Sequence, residues 1–451
     1  MTALPQSSRP PALAPTPTPA STPTLRHIVL CAATGLLTGL VAVAFRRCLD
    51  LVSGLRAETA DAVRAGSVWG LVALGVGAGA IGWLLGWSMR RFAPECAGSG
   101  IPHVEAVLAQ RRVMRWRRVL PAKFFGGVTA VGIGLSLGRE GPTVQMGAAI
   151  AQSMNSLRPQ TPESLRALIA CGAGAGLAAA FNAPLAGLAF VFEELRRVLA
   201  GASLLGAMTS AVAAVLVTTW LLGGEPIIDV GRIVPAPEPL VVAAPALVVW
   251  SVLAGVAAGT VGALFNVAIV TSTRVASLVP RRHAPFLPAL ACALAALVAV
   301  RLPDAVGDGL AVVNDVLRWS AKAWSALAIL ATARFAMTVV SYGCGAPGGI
   351  FAPLLLIGAL VGALTGHAVA ALDPSMAAHE QVFGLLGMAA VFTASVRAPL
   401  TGVLLIVEMS NDAHAVLALA VASAAAFLVA EALRSPPIYE SLLAIELERD
   451  E

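Results

Sequence analysis

Residues 138–142 read Gly-Arg-Glu-Gly-Pro and lie inside the apolar stretch FFGGVTAVGIGLSLGREGPTVQMGAAIAQSM. A charged side chain deep in a bilayer costs several kcal/mol, so something must hold Glu140 there. Two similar interruptions occur, GSGIP at 98–102 and GGIFAP at 348–353. Proline suits the first turn of a helix, where its missing N–H is not needed, and glycine lets the backbone approach an ion closely. A helix that starts inside the membrane leaves its first N–H groups unpaired. Those groups and the positive end of the helix dipole bind an anion without any Lys or Arg. The three motifs therefore read as helix N-termini aimed at one place, with Pro102, Pro142 and Pro353 near the starts. Glu140 can occupy the anion site itself, held by the N–H groups that follow it. Once protonated it loses that attraction and swings away, and a substrate anion takes its place. A buried salt bridge with Arg139 is the plainer alternative, although adjacent helix positions do not face each other.

Other acids stand at the ends of apolar runs. Glu193 and Glu194 precede Arg196 and Arg197, and both a capped or salt-bridged edge and a proton relay remain open for them. Glu408 and Glu431 read as structural partners of basic or hydroxyl groups. Tyr439, in RSPPIYES, is one of two tyrosines, and alone it reads as an interfacial belt residue.

The elements that must position these residues are membrane helices. The 451-residue chain is 58% hydrophobic and 12% charged, with a mean hydropathy of +0.83. A soluble domain carries about twice that charged fraction. Long apolar runs cover 28–45, 69–87, 203–222, 245–271, 284–300, 350–372 and 415–433, the length that spans a bilayer. The basic cluster RRVMRWRR at 111–118 is a topology signal placed on the cytoplasmic side, so the net charge of +5 does not point to nucleic acid. Residues 1–24, rich in Pro, Thr and Ser, read as a disordered cytoplasmic tail.

The chain also repeats itself. GSGI at 98–101 is echoed by GDGL at 307–310, GREGPTVQMG at 138–147 by GIFAPLLLIG at 349–358, and APLAGLAFVFE at 183–193 by APLTGVLLIVE at 398–408. The matches run in the same order, so two membrane repeats are expected at 27–235 and 236–442, with a short tail at 443–451. Paired Gly/Pro interruptions in corresponding places point to a midplane substrate site of a transporter.

Other patterns carry little. GAGAIG at 77–82 lies in an apolar run with no strand before it, so close helix packing explains it better than dinucleotide binding. His379-Glu380 lacks the second His of a metalloprotease motif, the six histidines lack ligand spacing and the six cysteines form no CxxC pair. No metal or cofactor is expected, and the cysteines read as packed free thiols. An intramembrane enzyme with Ser99 as nucleophile would need a nearby base that the sequence does not offer, and no GxSxG is present.

With GSGIP, GREGP and GGIFAP in this order and a tyrosine after the last apolar run, the chain resembles the CLC family of chloride channels and chloride/proton antiporters. The strings GSGIPHVEAVL, LPAKFFGGV, GLAAAFNAPLAG and SYGCGAPGGIFAP look like bacterial members, and the resemblance covers about 27–445. It implies an all-α polytopic fold of two inverted-topology repeats with tilted and partial, re-entrant helices. It implies that Ser99 and Tyr439 coordinate a central chloride with their hydroxyls, completed by the backbone amides of Ile350 and Phe351. The anion-selectivity motifs would be Gly98, Ser99, Gly100, Ile101 and Pro102; Gly138, Arg139, Glu140, Gly141 and Pro142; and Gly349, Ile350, Phe351, Ala352 and Pro353. Glu140 matches the gating glutamate that faces outward, and Glu194 the internal glutamate that passes protons towards it. Ser at position 99, where nitrate-selective members resemble Pro, implies chloride. Glu at position 194, where channels are usually apolar, implies an antiporter over a passive channel. His103 stands where some relatives look acidic, with no role assigned. The partners implied are chloride, protons, the lipid bilayer and a second copy of the chain, one pathway per subunit. The location implied is the cell inner (plasma) membrane, multi-pass, with a cytoplasmic N-terminus.

Overall fold

Apolar segments cut by Gly and Pro fold into helices of very unequal length. The computed structural model describes residues 25–64, 66–195, 204–229, 245–318 and 324–448. The 1–24 tail, Arg196 and Arg197 lie outside the described residues. In chain order the α-helices are α1 Leu25–Arg64, α2 Val68–Phe92, α3 Ile101–Leu108, α4 Trp116–Ile133, α5 Glu140–Leu157, α6 Pro162–Phe181, α7 Pro184–Glu193, α8 Leu204–Leu222 and α9 Pro245–Ser277. They continue as α10 Phe286–Arg301, α11 Leu310–Arg318, α12 Trp324–Gly343, α13 Phe351–Leu372, α14 Glu380–Val396, α15 Pro399–Ser410, α16 Val416–Ala432 and α17 Ile438–Glu448.

Length decides how each helix lies. The 40 residues of α1 rise to about 60 Å, twice the roughly 30 Å hydrocarbon layer, so α1 is longer than one perpendicular crossing needs. The 8 residues of α3 and 10 of α7 reach at most halfway across. Seven helices among the described residues are long and apolar enough to cross: α1, α2, α6, α8, α9, α12 and α13. Two of these, α6 and α12, are missing from the apolar runs of the sequence. Pro162-Glu163-Ser164 opens α6 and buried Arg334 divides α12, which shortens both apolar stretches. Conversely, the runs at 284–300 and 415–433 are the shorter helices α10 and α16. Residues 443–448 continue α17 because Tyr439, Leu442 and Ile445 form a buried stripe at helical spacing.

Glycines set the closest crossings, and they do so twice. A Cβ on Gly147 of α5 would lie 2.1 Å from the Gly172 carbonyl of α6, and one on Gly172 would lie 2.4 Å from the Gly147 carbonyl. Gly358 of α13 and Gly387 of α14 meet in the same way, at 2.5 and 2.1 Å. Gly147 and Gly358 are the last residues of the echoed decapeptides. Likewise Gly35 of α1 abuts the Ser210 carbonyl of α8, and Gly255 of α9 the Ala422 carbonyl of α16. Gly82, within GAGAIG, packs on the Pro288 carbonyl of α10. Small residues let apolar helices approach where lipid offers no hydrophobic drive for association.

Candidate functional site

The three Gly/Pro motifs meet. The Gly98 carbonyl accepts a hydrogen bond from Gly348 N–H at 3.0 Å, and Gly138 and Gly349 exchange two N–H···O bonds of 2.7 Å as an isolated antiparallel bridge. Gly141, in the first turn of α5, is the point of contact: a Cβ there would lie 2.6 Å from Ser99 Oγ and 2.9 Å from Gly349 Cα. The turn before α3 needs glycine for its backbone as well, with Gly98 at φ +61° and Gly100 at φ +87°.

Glu140 lies at the centre, with no exposure to solvent. Its Oε1 accepts hydrogen bonds from the Phe351 N–H at 2.7 Å and the Ala352 N–H at 3.2 Å. The carboxylate thus sits on the N-terminus of α13. The expectation that the N–H groups following Glu140 would hold it is corrected: the donors to Oε1 belong to the corresponding helix of the other half, and its own N–H adds to them. The carboxylate fits because Gly138 and Gly349 carry no side chain; a Cβ on either would come within 2.4 Å of a Glu140 oxygen. No ion pair joins Glu140 to Arg139 among the described residues; Arg139 turns to a cavity on the side away from the 111–118 cluster.

Among the described residues, the buried oxygens without a protein hydrogen-bond partner include Glu140 Oε2, Ser99 Oγ and Tyr439 Oη. Tyr439 is fully buried, which removes the interfacial-belt reading, and its phenol neighbours Ser99 with Glu140 and Glu194 within electrostatic reach. Its ring packs on Phe351 at 5.7 Å, and Phe351 in turn meets Phe392 at 4.7 Å and Phe190 at 6.0 Å. Two hydroxyls beside helix N-termini, walled by aromatic rings, suit a small monovalent anion. The Ile350 and Phe351 amides lie in the same turn, as the N-cap and first residue of α13.

The acids on the other side divide. Glu193 accepts from Leu400 N–H at 2.9 Å and from the Thr401 N–H and hydroxyl at 2.6 and 2.7 Å, capping α15. Glu408 accepts from Leu185 and Ala186 N–H at 2.9 and 2.8 Å, capping α7. Its partners are thus backbone amides, correcting the basic or hydroxyl partner expected; Glu431 does pair with Arg397, at 3.1 Å. Glu194 is the C-cap of α7 and faces Glu105 of α3 within hydrogen-bond reach.

Several positioning residues escaped the sequence reading. Lys123 is fully buried, and its ammonium donates to the Cys96 and Gly98 carbonyls at 3.0 and 2.7 Å. Arg334, also fully buried, does the same for the second half, donating to the Gly307 carbonyl at 2.7 Å. The Tyr342 hydroxyl accepts from Ser99 N–H at 3.4 Å, and His103 pairs with Gln145 at 3.1 Å. A lone cation inside LPAKFFGGV was the available signal for Lys123. Glu105 carried none.

Comparison with known proteins follows the same outline. Residues 81–431 match the family described as voltage gated chloride channel. The H(+)/Cl(-) exchange transporter ClcA of Vibrio parahaemolyticus is 36% identical over 432 residues, 94% of this chain and 90% of that protein. ClcA of Vibrio campbellii is 37% identical over 439 residues, 95% of this chain and 92% of that protein. Among solved structures, a slow cyanobacterial Cl−/H+ antiporter superposes with a TM-score of 0.87 at 31% identity, covering 95% of this chain and 99% of that one.

Proposed function

As the chain belongs to the voltage gated chloride channel family, we propose that it is a secondary active antiporter exchanging chloride for protons, gated by Glu140. One observation carries the reading: the Glu140 carboxylate rests on the Phe351 and Ala352 amides at the N-terminus of α13. An anionic side chain bound to a helix N-terminus stands where a free anion would bind. The two therefore compete, and the proton decides between them.

Chloride on its way to the inner side is held by the Ser99 and Tyr439 hydroxyls, whose oxygens lack protein partners. Protonation of Glu140 cancels the charge that the α13 amides attract, the side chain leaves, and chloride moves onto those amides. Loss of the proton outward returns the carboxylate, which drives chloride from those amides inward, so the two ions cross in opposite directions. Glu194 supplies protons from the inner side, with Glu105 beside it. The Phe190, Phe351, Phe392 and Tyr439 rings pack on one another beside the site. The likeness to the two ClcA proteins supports exchange, and an acid at position 194 favours it over passive conduction.

The protein works in the inner membrane as a homodimer with one pathway per subunit. The basic 111–118 cluster lies on the cytoplasmic side, which puts the N-terminus there too. The test is reconstitution in liposomes: a chloride gradient should drive protons against their own gradient in wild type, and Glu194→Ala should weaken that coupling. Chloride flux without proton movement in wild type would make the protein a channel.

A further inference from the structure

The Tyr439 hydroxyl has no protein hydrogen-bond partner among the described residues, so the backbone that carries it sets its place. That backbone is the first turn of α17, where N–H groups have no intrahelical acceptor. Pro436 and Pro437 precede it and supply no N–H at all. The approach to α17 is held instead through its carbonyls. Asn266 of α9 donates from Nδ2 to the Pro436 carbonyl at 3.1 Å and to the Ser395 carbonyl of α14 at 3.0 Å. Its Oδ1 accepts from the Ser395 hydroxyl, which fixes the orientation of the amide. Arg397, the C-cap of α14, donates from Nη2 to the Ser435 carbonyl at 2.7 Å. Two consecutive carbonyls ahead of Tyr439 are thus gripped from two other elements.

Packing alone does not ask for these residues. Asn266 is the one amide in the apolar run 245–271 and is only 2% exposed. A buried amide costs free energy unless it is hydrogen-bonded, and leucine would fill the same crossing without that cost. Arg397 adopts φ +70°, a left-handed conformation that residues other than glycine rarely enter. There its Nη1 also reaches the Phe427 carbonyl at 3.0 Å, and its guanidinium lies over the Phe427 ring at 4.8 Å. A satisfied buried polar network of this kind specifies one geometry.

We infer that Asn266 and Arg397 are positioning residues that fix the Tyr439 hydroxyl for chloride. The inference takes chloride at Tyr439 from the proposed function, while the clamp itself is independent of transport. Fluorine NMR of fluorotyrosine-labelled protein tests it, because the chain has only two tyrosines and Tyr439→Phe identifies one line. In wild type the Tyr439 line should be narrow and should shift on chloride titration. Asn266→Leu should move or broaden that line and raise the chloride concentration at half-shift about tenfold, the worth of one hydrogen bond to a charged ligand. The Tyr342 line should stay narrow. If Asn266→Leu does not fold, Arg397→Gln puts the same question through the Ser435 carbonyl. A Tyr439 line and a chloride affinity unmoved in the variant that folds overturn the inference. So does equal broadening of both tyrosine lines, which marks a general loosening. A broad Tyr439 line in wild type overturns the clamp even if neither variant folds. A Tyr439 line that moves in Asn266→Leu but not with chloride in wild type overturns the chloride reading alone.

Discussion

At the residue scale, Glu140 was legible because a carboxylate in an apolar run between glycines demands a reason. Its donors were not legible, because Phe351 and Ala352 lie over two hundred positions away and only the fold brings α13 to it. Replacing Glu140 by Gln removes the titration while keeping the shape. Chloride flux should persist, proton coupling should vanish, and the pH dependence of chloride flux seen in wild type should flatten, measured as paired fluxes in liposomes across pH. Lys123 makes a second case. Lys123→Met leaves the Cys96 and Gly98 carbonyls without their charged donor. Hydrogen bonds to charged groups contribute about 1.5–3 kcal/mol, so thermal unfolding in detergent should show a clear loss of stability, with weakened chloride affinity from a loosened Ser99 loop.

At the element scale, helix existence followed hydropathy wherever the run was clean, as in α2, α8 and α9. It failed for α6 and α12, whose polar start or buried arginine interrupts the unbroken apolar run that marks a spanning helix by eye. The glycine crossings were visible only as composition; which glycine touches which backbone needed coordinates in space. Gly172→Ala would push a Cβ to 2.4 Å from the rigid Gly147 carbonyl. Such overpacking costs about 1–3 kcal/mol. Gly54→Ala in α1, with open space around it, should instead be neutral or stabilise by up to about 1 kcal/mol. Melting temperatures of the two variants separate crowding from a general effect of glycine loss.

At the scale of the molecule, the two halves hold each other's helix ends. Glu193 caps α15 and Glu408 caps α7, the same exchange made twice across the repeat. The echo of APLAGLAFVFE in APLTGVLLIVE marked these segments as repeat partners, while their meeting in space and the swap of caps lay beyond any one-dimensional pattern. Losing either cap, in Glu193→Ala or Glu408→Ala, should lower stability by about 1–2 kcal/mol, read by denaturant or thermal unfolding.

The central claim concerns one contested position, the N-terminus of α13. If chloride reaches it only when Glu140 is protonated, linkage requires that chloride binding take up protons from solution. Calorimetric titration of chloride into the detergent-solubilised protein, in buffers of differing ionisation enthalpy, counts those protons. Wild type should take up protons on binding, and Glu140→Gln should bind chloride with none. Saturation of both chloride positions without any proton uptake in wild type, or the same uptake in Glu140→Gln, would contradict the account.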